Sequence, residues 1–391
     1  MTPITTTAEL ERFCRQLKAA PFIAVDTEFM RESTYWPKLC LVQAATPEVG
    51  AVLDPLAEGI DLGPFLDLMR DANIEKVFHA ARQDIEIFNN LGAMPSPLFD
   101  TQVAGMAAGF PEQIAYDALV RQMLKVELDK SSRFTDWARR PLTQAQLTYA
   151  LGDVTHLAEL YPLLRAKLED SGRIGWVREE MGALTDPALY DTTPENSWRR
   201  LKPRRHTAKY LAVLRALATW RERTAQVRDQ PRGRILKDDA IDELATQAPV
   251  DGEALARLRS LPKGFAGSRF GAEVLEAIAR GLTDVESHPP EHRRPARASS
   301  APTGATVELL KVLLKAKAEQ AKVASKLIAT VADLEKIAAD DEADTPALQG
   351  WRRETFGEDA LRVKRGELAL VLDGGQVRVV AVRRQPRAGA A

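Results

Sequence analysis

The stretch FIAVDTEF, residues 22–29, sets two acidic residues, Asp26 and Glu28, into a run that is otherwise apolar apart from Thr27. Its β-branched and aromatic content predicts a strand, and residues two apart on a strand project to the same face. Two like charges side by side in an apolar strand are costly unless a cation neutralises them. Magnesium and manganese, hard ions that take carboxylate oxygens, meet that need. Taken alone, the motif is equally well explained as a strand end with both carboxylates in water.

Outward from this strand, LCLVQAAT (39–46) and GAVLDP (50–55) predict neighbours in the same sheet, and EKVFHA (75–80) predicts a further strand. ARQDIEIFNNLG (81–92) reads as a helix capped at Gly92. Helical patterns recur over 101–108, 116–124 and from 143 to about 169, so residues 1–190 are expected to form one α/β domain. Asp84 falls in the first turns of the helix after EKVFHA, where the helix dipole by itself explains an acid. In YALGDV (149–154), Tyr149 and Asp153 are i and i+4 on a helix and share a face. Leu147, Leu151, Leu157 and Leu160 carry most of the apolar pattern there, so the core does not require Tyr149 or Asp153.

The conjunction is more specific than its parts. Asp-x-Glu on a first strand, an aspartate some 55 residues later and Tyr-x-x-x-Asp on a third element form an ordered set. It resembles the DEDD exonuclease superfamily, tyrosine subclass, and within it the ribonuclease D family. TYWPKLCLVQ (34–43), LFDTQVAG (98–105) and LDKSSRFTDWARRPLTQAQLTYALGDV (128–154) extend the resemblance over essentially all of residues 20–160. It implies a ribonuclease-H-like fold and a metal-dependent 3′→5′ exoribonuclease that releases nucleoside 5′-monophosphates, with tRNA precursors as the typical substrate. It also implies two divalent cations, Mg2+ or Mn2+, held by Asp26, Glu28, Asp84 and Asp153. Asp26 would bridge them, Glu28 and Asp153 would serve the nucleophile-side ion, and Asp84 would support the other, partly through water. Tyr149 would orient the attacking water and the scissile phosphate instead of acting as a base, its ordinary pKa being near 10. His156, on the far side of Asp153, is expected to be a bystander, and Asp100 to cap the helix that follows it.

Aromatic residues beside this set, Phe29, Tyr35 and Trp36, are candidates to stack on or wedge terminal bases, with a core role equally open for Phe29. Lys130, Ser131 and Ser132 lie in a polar loop ahead of the Tyr149 helix and are candidate phosphate contacts.

The remainder of the chain differs in composition. Residues 1–190 carry 18 Lys+Arg against 27 Asp+Glu, a net of −9, which leaves +8 for residues 191–391 in a chain of net −1. An acidic half joined to a basic half suits a metal-using domain beside one that grips a polyanion. Residues 191–206 read as a basic linker, and from Thr207 the pattern is helical, so 207–282 predicts a small all-α bundle. This bundle resembles the helicase-and-RNase-D C-terminal (HRDC) domain. Residues 283–304, rich in proline, serine and charge, predict a disordered linker. A second, diverged helical domain is expected over 305–385, with a hairpin turning at Gly374–Gly375. Between Arg199 and Lys237 stand 13 Lys+Arg against two acids, and Arg204, Arg205, Arg232 and Arg234 are the candidate RNA contacts.

Several classes are excluded. Two cysteines, Cys14 and Cys40, build neither a disulfide framework nor a four-ligand zinc site. There is no uncharged apolar run of about 18 residues, so no membrane association is expected. The start of the chain lacks a secretion pattern, and a cytoplasmic monomer without an obligatory protein partner is the expectation. The absence of a G-x-x-x-x-G-K-[ST] loop argues against a helicase. Two alternatives remain at this point: an exonuclease on single-stranded DNA, and an inactive nucleic-acid-binding scaffold.

Overall fold

The structure is a computed structural model that describes residues 2–129, 132, 135–287 and 304–382. The N-terminal part contains strands β1 (Phe22–Met30), β2 (Lys38–Ala45), β3 (Gly50–Leu53), β4 (Glu75–Phe78) and β5 (Leu98–Asp100). Helices α1 (Thr7–Leu17), α2 (Gly63–Arg70), α3 (Arg82–Asn90), α4 (Thr101–Ala107), α5 (Tyr116–Leu124), α6 (Gln144–Asp170) and α7 (Ile174–Leu184) surround them. The sheet order is β3-β2-β1-β4-β5: β1, β2 and β3 pair antiparallel, and β4 and β5 join parallel. This is the expected ribonuclease-H-like arrangement.

Central β1 reads as a continuous apolar run, Phe22 to Val25, because helices cover both faces of the sheet there. Beyond Ala24 it loses its β4 partner and continues against β2 alone, with a register shift between Glu28 and Phe29. The acids therefore sit where the sheet splays open. Four elements of this part were not anticipated: β5, at three residues too short to show a periodic pattern, and helices α1, α2 and α7.

The second unit comprises α8 (Ala208–Arg228), α9 (Arg232–Ile235), α10 (Asp238–Gln247), α11 (Gly252–Ala256) and α12 (Arg269–Ser287). It has its own core, including Val213, Leu217, Ile241, Leu244 and Ile278. The preceding basic segment is ordered over a 3-10 stretch, Pro194–Arg200, with Trp198 under the Arg215 guanidinium at 4.3 Å. Helix α12 continues to Ser287, into the linker expected from residue 283, since adding residues to an established helix is inexpensive, and residues 288–303 lie outside the described residues.

The third unit holds α13 (Gly304–Ala321), α14 (Ser325–Ile328), α15 (Val331–Ala339), α16 (Gly350–Arg352), α17 (Glu358–Lys364) and a hairpin of β6 (Leu368–Asp373) and β7 (Gln376–Ala381). Its apolar residues, Leu310, Leu313 and Phe356 among them, are continuous with the core of the α/β part. Trp351 stacks on Trp176 of α7, ring centroids 4.0 Å apart and 7° from parallel. Arg173 donates to the Ala107 and Lys322 carbonyls, at 2.9 and 3.3 Å. Gly109, at φ +92°, lets the Lys322 carbonyl approach where a Cβ would stand 2.9 Å from its oxygen.

Candidate active site

Asp26 and Glu28 project from the free end of β1 toward α6, and Asp153 descends from α6 to meet them. One carboxylate oxygen from each of the three lies within 4.8 Å of the others. All three keep partial contact with solvent at the floor of a groove of about 930 Å³, which Tyr149, Phe29, His79 and Tyr116 also line. Helix α6 is fixed at its start by a capping box, in which Thr143 and Gln146 exchange side-chain-to-backbone hydrogen bonds. Just before it, Arg140 clamps Asp54 in a bidentate pair, 2.6 Å for each bond, and donates to the Cys40 carbonyl at 2.7 Å. The helix is thereby tied to strands β2 and β3, and Tyr149 and Asp153 come to lie over β1.

Asp84 arrives by a different route. The turn between β4 and α3 passes through Ala80 at φ +58°. Asp100 holds this turn by accepting from the Ala80 and Ala81 amides at 3.0 and 2.9 Å. The same carboxylate caps α4 through Gln102 N at 2.8 Å, so Asp100 is a structural cap, as expected. Asp84, in the first turn of α3, is buried and accepts a 2.5 Å hydrogen bond from Thr27 Oγ1. It stands outside the tight trio because its carboxylate is turned toward Thr27, although its charge acts on Glu28. Thr27 is a site residue that sequence reasoning missed; its position between the two acids was the available signal.

The electrostatics are those of a crowded anionic site. Burial, then the charge of Asp153, pushes Asp26 up to about 8. Burial followed by Asp26, Asp153 and Asp84 pushes Glu28 up to about 9. Burial and Asp26 raise Asp84 well above the usual carboxylate range. Burial, then Asp153, Glu28 and Asp26, raises the Tyr149 hydroxyl, which therefore keeps its proton at neutral pH and serves as a donor. A set of three converging carboxylates with a fourth beside it, all offering oxygen ligands, fits hard divalent cations.

One consequence is measurable in the metal-stripped protein. Unfolded Asp26 and Glu28 lose their protons near pH 4, whereas in the folded chain they hold them to about 8 and 9. The folded state binds more protons throughout that window, so its stability is greatest below pH 4 to 5 with respect to these groups and declines as pH rises toward 9. Melting in EDTA is expected to fall between pH 5 and 9, and to fall less steeply for an Asp26→Asn/Glu28→Gln double variant. Equal slopes for the two proteins would refute this account.

Other candidates divide. Phe29 lines the groove, partly exposed. Tyr35 does not: it is buried in the core of the second unit, so its proposed stacking role is corrected. Its hydroxyl donates to Glu222 Oε1, accepts from Arg232 Nη2 at 2.9 Å and from Gln226 Nε2 at 3.1 Å, and its ring lies 4.7 Å beneath the Arg232 guanidinium. Trp36 packs edge-on against Tyr35, and both backbone amides donate to Asp229 Oδ1 at 3.0 Å. Arg232 is correspondingly engaged, with Nε and Nη2 at 2.5 and 2.6 Å from the Glu222 carboxylate, while its side chain stays partly exposed. Arg204 pairs with Asp239 at 2.8 Å but stays exposed, as do Arg205 and Arg234. Lys130 and Ser131 lie outside the described residues, and Ser132 is buried. His156 faces Glu159 at 3.7 Å and lines an adjoining cleft with Tyr149 and Asp153, outside the main groove.

Residues 1–169 match the 3′-5′ exonuclease family and residues 210–278 the HRDC domain. Over 385 residues the chain is 54% identical to ribonuclease D of Nitrobacter hamburgensis, covering 98% of this chain and 100% of that protein. It is 49% identical to ribonuclease D of Granulibacter bethesdensis over 382 residues, covering 97% and 96% of the two chains. The crystal structure of Escherichia coli RNase D, described as an exoribonuclease involved in structured RNA processing, superposes with a TM-score of 0.78 at 28% identity. That match covers 94% of this chain and 99% of the other.

Proposed function

The chain belongs to the ribonuclease D family and is a metal-dependent 3′→5′ exoribonuclease; from that premise we propose that it acts as a cytoplasmic monomer trimming the 3′ ends of tRNA precursors and other structured RNAs. Asp26, Glu28, Asp84, Tyr149 and Asp153 form the active site in this reading. The observation that carries it is the approach of Asp26, Glu28 and Asp153, from two distant segments, to within 4.8 Å of one another on the groove floor. Asp26, whose charge acts on Glu28 and which feels Asp153, would contribute to holding both of two Mg2+ or Mn2+ ions. Glu28 and Asp153 would complete one ligand set, and Asp84, steered by Thr27, would serve the other. When bound, such ions supply an activated water nucleophile and stabilise the charge that develops on the departing 3′ oxygen. Tyr149, kept protonated by its acidic neighbours, donates from its hydroxyl to orient the nucleophile and the scissile phosphate. Phe29 stacks on the terminal base, while Arg205 and Arg234, exposed on the basic second unit, hold the RNA backbone. We divide the chain at 1–190 for the nuclease, 207–282 for the HRDC module and 305–385 for the third unit, which braces the nuclease through Trp351 and Trp176.

RNA labelled separately at its 3′ and 5′ ends, incubated with Mg2+ or Mn2+, reports polarity and product size together. Release of the 3′ label as mononucleotide from the first time point, with a 5′-labelled ladder shortening stepwise, is expected; internal fragments at early times refute the exonucleolytic reading. A tRNA precursor with a 3′ trailer should shorten to its stem, and an intact trailer beside digested unstructured RNA refutes the substrate proposal. Tyr149→Phe removes the orienting donor and should lower kcat by about 100-fold with little change in metal affinity.

A further inference from the structure

Gln43 is fully buried on β2, and among the described residues neither its Nε2 nor its Oε1 has a hydrogen-bond partner. Such an amide lowers stability, so natural proteins rarely keep one without use. Its position gives it a use. In the antiparallel register Gln43 stands directly opposite Asp26, as Leu41 stands opposite Glu28, so its side chain lies on the acid-bearing face of the sheet. Its other neighbour across the ladder is Val52, which packs with Leu41 and with Leu147 and Ala150 of α6. Gln43 is therefore enclosed between the sheet and the helix that delivers Tyr149 and Asp153. Side chains directly opposite on paired strands have Cβ atoms about 5 Å apart. A glutamine amide spans that interval to an aspartate carboxylate by rotation about its own side-chain bonds.

We propose that Gln43 is a positioning residue for the exonuclease: its Nε2 donates to the outer oxygen of Asp26 when that carboxylate engages a divalent cation, fixing the direction in which Asp26 presents its ligand oxygen. A carboxylate with one oxygen on the ion has a second oxygen left to satisfy, and in a buried wall the only inexpensive partner is a fixed donor. Leu41, across from Glu28, has no donor to offer, so of the two acids only Asp26 has such a donor opposite it on β2. The idea rests on Asp26 being a metal ligand, and the test separates the two.

Mn2+ binding is measured by titration calorimetry on the full chain without RNA, together with melting in EDTA and steady-state kinetics, for wild type, Asp26→Asn, Gln43→Met and Gln43→Leu. The Gln43 variants keep the volume but lose the donor. They are expected to melt at or above wild type in EDTA, because an orphan amide has been removed from the core. Their Mn2+ affinity should fall by about 10- to 100-fold, with kcat reduced at saturating Mn2+ and KM for RNA unchanged. Wild-type Mn2+ affinity in both Gln43 variants beside a loss in Asp26→Asn overturns the role given to Gln43 alone. Unfolding of both Gln43 variants also overturns it, by making the amide a structural group. Unaltered binding in Asp26→Asn instead overturns the site assignment beneath it.

Discussion

Asp26→Asn is expected to abolish exonuclease activity while raising the melting temperature of the metal-stripped protein. The two effects have one cause. Asp26 is in the middle of the crowding: its charge is felt by Glu28 and by Asp84, and it in turn feels Asp153, which also acts on Glu28 directly. Without cations this crowding is a liability, relieved by protonation at about pH 8 for Asp26 itself. An asparagine of the same shape removes the repulsion at every pH and so stabilises the empty fold above neutrality. In the proposed reading the same crowding would hold the cations, and an asparagine amide oxygen would be a poor substitute for the Asp26 carboxylate. Losing several kcal/mol of transition-state stabilisation corresponds to a rate loss of about 1000-fold or more. Parallel melting in EDTA at pH 8.5 and single-turnover digestion in Mn2+ test both halves. A variant that is inactive and less stable in EDTA would mean that Asp26 serves the fold and is not held against repulsion.

Glu222→Ala is expected to be the most destabilising change outside the nuclease core. The Glu222 side chain is 1% exposed, and it gathers Arg232 in a bidentate pair, Arg200 at 3.0 Å and the Tyr35 hydroxyl. Burial alone would push its pKa up. The hydrogen bonds from Arg232 and Tyr35, with the charges of Arg232 and Arg200, outweigh burial and hold it below its ordinary value. Truncation leaves Tyr35 and Arg232 unmatched at the junction between the β1–β2 segment and the second unit. Breaking a buried pair in this way costs about 3–5 kcal/mol, and the low end applies because Arg200 and Arg232 retain water contact. Arg204→Ala, which breaks an exposed pair with Asp239, should cost less than about 1 kcal/mol. Calorimetry should show the second unit melting separately in Glu222→Ala and not in Arg204→Ala; indistinguishable traces would remove the junction from the list of stabilising contacts.

The nuclease core was readable because its signals are periodic or local. Strands β1 to β4 announce themselves as apolar, β-branched runs, and the Asp26–Glu28 face follows from a two-residue repeat. Tyr149 and Asp153 share a helix face for the same kind of reason. Asp84 was different: nothing local distinguishes it from a dipole-stabilised acid, and only its place in an ordered set singled it out. The burial of Tyr35 and the ion pair of Arg232 were not legible because an aromatic in a loop and an arginine in a basic stretch carry no period. The Glu222 partner of Tyr35 lies 187 residues away along the chain, and Arg232 meets Tyr35 across 197 residues although its Glu222 partner is only 10 away. Gln43 left no trace at all, since a glutamine in a strand looks the same whether or not it is satisfied.

From the sequence alone came most of the elements, their order and the candidate acids, because strand and helix patterns depend on neighbours two to four residues away. Only the tertiary structure decided which acids actually converge, that Asp84 is turned aside by Thr27, and that a supposed RNA-binding pair locks two units together. Those outcomes depend on burial and on contacts between distant segments, and a charge buried against its own kind has an energy that no local pattern encodes.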